Sequence, residues 1–106
     1  MAREPYNLLA RYQMLEQALR DNRLTRADCS VLAVILAHAD QDGEAWPGVA
    51  RITERANVSR RTALRAIAAL ERAGYLHVSR ILGQVNTYQI QASPTVTGTI
   101  WFDDDL

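Results

Sequence analysis

The sequence contains only one cysteine and no long apolar run, and each of these features excludes a class of protein. Cys29 cannot form a disulfide within the chain, and its place in the apolar run CSVLAVILA predicts a buried thiol in a reducing cytoplasm. No run of 18 apolar residues is present, so the sequence predicts no membrane span. The N-terminal segment MAREPYNLLARYQ lacks the apolar core of a signal peptide. We therefore expect a cytoplasmic protein.

Motifs that would indicate catalysis, a cofactor or a metal are also missing. The sequence holds no glycine-rich phosphate loop, no serine nucleophile motif and no cysteine–histidine cluster for zinc. His38, Asp40, Asp42 and Glu44 alternate in HADQDGE, but they lack the full spacing of a calcium loop. This segment is expected to be a solvated loop. The sequence predicts a protein that is not an enzyme and needs no cofactor.

The charged residues are unevenly distributed along a chain whose net charge is zero. At 106 residues, 48% hydrophobic and 23% charged, the chain has the profile of one small globular domain. All twelve basic residues are arginine. Seven of them fall between Arg51 and Arg80 against two glutamates, a local charge of +5. After Ala92 the only charged residues are three aspartates. A basic segment and an acidic end therefore cancel in the total.

Four helices are predicted from apolar spacing and from the residues that begin and end helices. The first, over 5–21, carries a stripe at four- and three-residue spacing, made of Leu8, Tyr12, Leu15 and Leu19. The second, over 25–39, starts at a Thr25–Asp28 capping-box pair and is apolar on nearly every side, as in a central helix. The third covers 49–56. In the intervening loop, Trp46 is predicted to fill the core beneath the third helix.

A tight turn separates the third helix from the fourth. Asn57 tolerates the positive φ that such a turn needs, and Ser59 is a strong candidate N-cap. The fourth helix covers 59–73 and is stopped by Gly74. Residues 75–91 then change to period two and predict a hairpin, with His77 in a surface or packing role. The fold class is mainly α with a small β-hairpin wing, in a domain over 1–92 followed by a flexible tail over 93–106.

The stretch GEAWPGVARITERANVSRRTALRAIAALERAGYLHVSRILGQVNTYQI resembles the winged helix-turn-helix domains of plasmid and phage proteins. These domains occur in replication initiators of the phage O-protein type and in small transcriptional regulators. The shared features are WP before the third helix, VSRRT at the start of the fourth, and a glycine followed by an aromatic before the wing. Relatives often have serine where this chain has Gly48, and glycine where it has Asn57.

In a helix-turn-helix, the N-terminal residues of the second helix reach base edges in the major groove. Here these are Ser59, Arg60, Arg61, Thr62 and Arg65. Arg61 and Arg65 are four apart and share a face, so they are predicted to contact bases, with Arg60 nearer the backbone. Phosphate contacts are assigned to Arg51, Arg55 and Arg80. Exclusive use of arginine suits two-pronged hydrogen bonding to guanine.

The resemblance leaves the biological role open. The leading interpretation is a sequence-specific double-stranded DNA-binding protein that regulates transcription of a mobile element. It would act as a homodimer, with the first helix as the dimer element, or as several copies on repeated sites. The first alternative is an origin-binding initiator or partition factor whose tail recruits a replication protein through Trp101, Phe102, Asp103, Asp104 and Asp105. The second is a winged helix that binds proteins only.

Overall fold

A computed structural model describes residues 8–91. Four helices come first: α1 (Leu8–Leu19), α2 (Arg26–His38), α3 (Val49–Ala56) and α4 (Arg60–Arg72). Three short strands form an antiparallel sheet in the order β1-β3-β2, with β1 at Glu44–Ala45, β2 at Leu76–Ser79 and β3 at Thr87–Ile90. This confirms the predicted mainly α winged helix-turn-helix. No helix within 8–91 is long and apolar enough to cross a membrane.

The central position predicted for α2 is confirmed. Its capping box is complete: Thr25 Oγ1 accepts from the Asp28 backbone N–H (3.1 Å), and the Asp28 carboxylate accepts from the Thr25 N–H (2.9 Å). Val31, Leu32 and Ile35 have no solvent exposure. Cys29 is buried as expected, and burial raises the pKa of its thiol. Three helices and β1 pack around this helix, whereas β2 packs against α4.

The sequence prediction missed strand β1, because QDGEAWPG contains only loop signals. The strand exists because Asp40 organises the loop before it: its Oδ1 accepts from the backbone N–H groups of Asp42 (2.9 Å) and Glu44 (3.0 Å). The Ile90 N–H then donates to the Gly43 carbonyl (2.8 Å), and Glu44 pairs with Gln89. This pairing extends the predicted two-stranded wing to three strands.

Most of the predicted stripe of α1 does not face the core; only Leu15 packs against it. Leu8, Tyr12 and Leu19 are 72%, 67% and 55% exposed, whereas the buried residues of this helix are Met14 and Ala18. At 100° per residue, the buried pair lies about a quarter-turn from the stripe, so the apolar surface of α1 is wider than its packing against α2 requires. The helix also ends at Leu19, two residues before the predicted end.

Candidate nucleic-acid interface

The turn between α3 and α4 is three residues long and depends on one left-handed residue. Asn57 has φ 59° and ψ 50°, as the sequence predicted, and its N–H bonds to the Thr53 carbonyl. The Val58 N–H donates to the same carbonyl (3.2 Å). These bonds satisfy the end of α3 and allow α4 to start at once in a new direction. The helix–turn–helix arrangement follows from this local geometry.

The first turn of α4 is held by the serine cap that the sequence predicted. Ser59 Oγ accepts from the Thr62 backbone N–H (3.1 Å), and its hydroxyl donates to Thr62 Oγ1 (3.0 Å). Ser59 thus uses its hydroxyl proton within the cap, whereas no bond within 8–91 uses that of Thr62. Of the two hydroxyl residues among the predicted DNA contacts, Thr62 is therefore the one whose proton remains available.

One face of α4 is buried and the opposite face is lined by arginine. Ala63, Ala66, Ile67 and Leu70 pack into the core. At 100° per residue, Arg61, Arg65 and Arg72 lie within about 40° of one another on the other side. We call these three residues the arginine face; all are exposed. The sequence prediction omitted Arg72, although its spacing of seven from Arg65 placed it on this face.

The arginines of α3 and α4 have no acidic partner within residues 8–91. The two ion pairs there are Arg23–Asp21 and Arg80–Glu71, and none of the following arginines takes part in either: Arg51, Arg55, Arg60, Arg61, Arg65 and Arg72. All six are exposed. Guanidinium groups without acidic partners attract a polyanion, and those in the first turn of α4, Arg60 and Arg61, lie where the helix dipole is also positive.

A family model described as a helix-turn-helix domain matches residues 22–76, or 55 of the 106 residues. The chain belongs to the helix-turn-helix domain family. The match runs from the turn before α2 to the first residue of β2 and includes the whole of α3 and α4. Comparison with curated proteins and with solved structures gives no match. Helix-turn-helix domains bind DNA through the second helix of the motif, which in this chain is α4.

In this helix-turn-helix protein, the wing arginine predicted to contact phosphate already has a partner. Arg80 donates from both terminal nitrogens to the Glu71 carboxylate, at 3.1 Å and 3.4 Å. Glu71 lies in the last turn of α4, so the pair links the start of the wing loop to the flank of this helix. The sequence could not reveal this contact, because residues nine apart meet only after the chain reverses at Gly74.

The prediction that Trp46 fills the core of this helix-turn-helix protein is wrong. Trp46 is 55% exposed, while the neighbouring Ala45 and Pro47 are buried. Pairing of β1 with β3 turns Ala45 inwards, and the alternation of an extended chain turns the indole outwards. Trp46 instead borders a cleft of about 360 Å³ with His38 and Arg51 at the start of α3. Gly48, which stands where relatives often have serine, caps α3 there without a side-chain bond.

The remaining predicted features of this helix-turn-helix protein lie away from α4 or outside the described residues. The predicted tail site lies outside the described residues; it comprises Trp101, Phe102 and Asp103–Asp105. His77 is exposed on β2. Asp40 uses its carboxylate within its own loop, and no group of three or more His, Cys, Asp or Glu side chains in 8–91 could hold a metal.

Proposed function

We propose that this protein is a sequence-specific double-stranded DNA-binding protein that regulates transcription of a mobile element by occupying its site. The supporting observation is the arginine face on α4, opposite a fully buried face and without acidic partners within 8–91. Arg61 and Arg65 contact bases, and Arg60 lies nearer the backbone. Thr62 donates its free hydroxyl proton to phosphate or base. Occupancy needs no catalytic group and no cofactor.

Base contacts account for sequence preference, whereas phosphate contacts supply most of the salt-dependent affinity. Arg51 and Arg55 on α3 are assigned to phosphate because they lie on the helix that precedes α4 and are exposed. Arg72 joins the arginine face at the end of α4, further from the cap, and is assigned to the backbone as well. Arg80 contacts phosphate only if it leaves Glu71.

A single module of this size discriminates its site poorly, so we propose a homodimer on an inverted repeat. The support is an apolar groove of about 300 Å³ between α1 and α2, lined by Leu8, Arg11, Tyr12, Leu15, Ala33, Leu36 and Ala37. In the alternative, an origin-binding initiator, several copies would bind tandem repeats instead.

Selection from a random duplex library tests the proposal. We expect recovery of one preferred sequence, with half-sites that are inverted for a dimer and tandem for multiple copies. Its position in the source genome, at a promoter or within repeated origin sequences, then separates a regulator from an initiator. Failure to retain any duplex at low ionic strength would leave only the protein-binding alternative.

Two arginine substitutions test the assigned roles on the selected site. Arg61→Ala is expected to cost about 1–3 kcal/mol of specific binding and to relax preference at one base position. Arg51→Ala should weaken all sequences alike and reduce the slope of log affinity against log salt by about one. Arg26→Ala is the charge-matched control, because this exposed arginine lies at the start of α2, outside the motif. If Arg61→Ala and Arg51→Ala behave alike, the assignment is wrong.

A further inference from the structure

The tip of the wing carries exposed apolar side chains. We call residues 80–86 the wing tip. Within it, Leu82 is 100% exposed, and Ile81 and Val85 are each 56% exposed. Exposed large aliphatic side chains that cluster in one short loop favour a role in binding, because single scattered ones are the norm elsewhere on protein surfaces.

The wing tip has a defined shape. The Gln84 N–H donates to the Ile81 carbonyl (3.0 Å), which closes a four-residue turn. Gly83 has φ +81°, the value that the third position of a type II turn requires. Leu82 therefore occupies the second position, at the outer corner of the hairpin. The Leu82 side chain therefore projects into solvent from a backbone that is held by a hydrogen bond.

The electrostatics around the wing tip are compatible with DNA. The sequence has no carboxylate between Glu71 and Asp103, so the whole wing is free of acids. Glu71 itself is paired with Arg80 at the start of the tip. The acidic loop before β1 lies at the other end of the sheet, where Glu44 pairs with Gln89 and the Gln89 amide donates to the Asp42 carbonyl (3.1 Å).

We propose that Leu82, supported by Ile81, enters the minor groove of the bound duplex and separates two stacked base pairs. This inference rests on the proposed function, since it concerns the same duplex that α4 binds. Proteins that bend DNA from the minor groove use aliphatic wedges of this kind and kink the helix by roughly 20–90°. Gln84 and Asn86 flank the wedge and supply amide groups of the type that contact minor-groove acceptors.

DNA is favoured over a protein partner because the wing tip is continuous with the candidate interface. The Arg80–Glu71 pair holds the start of the tip against the last turn of α4. The residue after Glu71 is Arg72, which belongs to the arginine face. A wedge also predicts a sequence signature. Pyrimidine–purine steps such as TA and CA unstack most readily, so the selected site should contain one at a fixed distance from the bases that α4 contacts.

The test uses the full chain bound to its selected duplex, with two reporters. Fluorescence energy transfer between dyes at the duplex ends measures bending, and 2-aminopurine at the predicted step measures unstacking. Wild-type protein is expected to bend the duplex and to raise the 2-aminopurine emission. Leu82→Ser should return both signals to those of the free duplex and remove the preference for a TA or CA step. Because Leu82 is fully exposed, the substitution should leave thermal unfolding unchanged.

Leu9→Ser is the matched control, because Leu9 is 64% exposed on α1 and does not line the α1–α2 groove; it should retain both signals. A wild-type complex that binds specifically but leaves the duplex straight and stacked would overturn the wedge and leave the proposed function standing. The wedge is also overturned if Leu82→Ser changes only self-association. If the wild-type protein binds no duplex, the proposed function itself is overturned. Arg61→Ala then cannot weaken binding, which distinguishes this outcome from the loss of the wedge alone.

Discussion

At the scale of single residues, Glu71 has a large effect on the charge of the candidate interface. It is the one acid on α4, and it holds Arg80, the only arginine of the wing. The pair is solvent-exposed, with 52% of the Arg80 side chain and 35% of the Glu71 side chain accessible, so it contributes little to folding. Its larger consequence is that it removes one cation from the set that can contact phosphate.

Glu71→Gln should therefore strengthen binding to random-sequence duplex. Released from its partner, Arg80 becomes available as one more phosphate contact, and the slope of log affinity against log salt should steepen by about one. The midpoint of thermal unfolding should barely move. Glu54→Gln on α3 is the control, since it removes the same charge from an exposed residue without an ion pair in 8–91. Equal salt slopes for the two variants would mean that Arg80 does not reach DNA.

Two buried tyrosines have opposite hydrogen-bonding status. The Tyr75 hydroxyl donates to the Asp21 carboxylate (2.9 Å), whereas the hydroxyl of Tyr88, a residue with no solvent exposure, has no partner within 8–91. A buried polar group without a partner destabilises the folded state, whereas a hydrogen bond to a charged group stabilises it.

Substituting each tyrosine by phenylalanine should therefore change stability in different directions. Tyr75→Phe is expected to lower the free energy of unfolding by about 1–2 kcal/mol, because Asp21 loses a donor. Tyr88→Phe should leave it unchanged or raise it by up to about 1 kcal/mol, since the ring is retained and the unpaired hydroxyl is removed. Urea unfolding of both variants measures the difference. Equal losses would show that Tyr88 has a partner in solution.

At the scale of elements, Asp21 ties the turn after α1 to Tyr75, which lies between the end of α4 and the start of β2. Its carboxylate accepts from the Arg23 guanidinium at 2.7 Å and 2.9 Å and from Tyr75. The hydrogen bonds from Arg23 hold the pKa of Asp21 well below its usual range despite partial burial. Burial, followed by the bond to Asp21, raises the pKa of Tyr75.

The depressed pKa of Asp21 predicts acid sensitivity. The unfolded chain takes up this proton first, at a pKa of about 3.9, so stability is complete above that value and is lost as pH falls towards the lower folded pKa. Asp21→Asn should be less stable at neutral pH and should lose less on acidification below about pH 4. Asp42→Asn, which removes an exposed carboxylate without an ion pair in 8–91, should retain the wild-type acid dependence. Thermal unfolding as a function of pH distinguishes them.

The elements also show how far the sequence determines the fold and the candidate site. The caps of α2 and α4 and the turn at Asn57 were predictable because each depends on bonds between residues three to five apart. The shared face of Arg61 and Arg65 followed from helical spacing, although Arg72 was missed. Strand β1, the exposure of Trp46 and the Arg80–Glu71 pair were not predictable, because each depends on a contact made only when distant or reversed segments meet. The stripe on α1 was identified, but spacing alone could not show which of two apolar faces would be buried.

At the scale of the whole molecule, the proposed homodimer assigns a role to the exposed stripe on α1, as the surface that a second copy covers. Tyr12 is 67% exposed and lines the groove between α1 and α2, whereas Leu9 is similarly exposed but lies outside it. Two copies that place these grooves against each other would bury the largest apolar side chains of α1. Such a dimer would also present two copies of α4, as an inverted repeat requires.

Tyr12→Asp should therefore give a monomer, because it introduces a charge into the apolar contact without disturbing a buried residue of the protomer. Light scattering coupled to size-exclusion chromatography measures the mass, and titration of one- and two-half-site duplexes measures the binding. The variant should bind a single half-site as the wild type does and lose the added affinity for the inverted pair. Leu9→Asp should remain dimeric. If the wild-type protein is monomeric both free and on the inverted repeat, α1 is not a dimer contact. Tandem repeats in the selected site would then favour independent copies bound side by side.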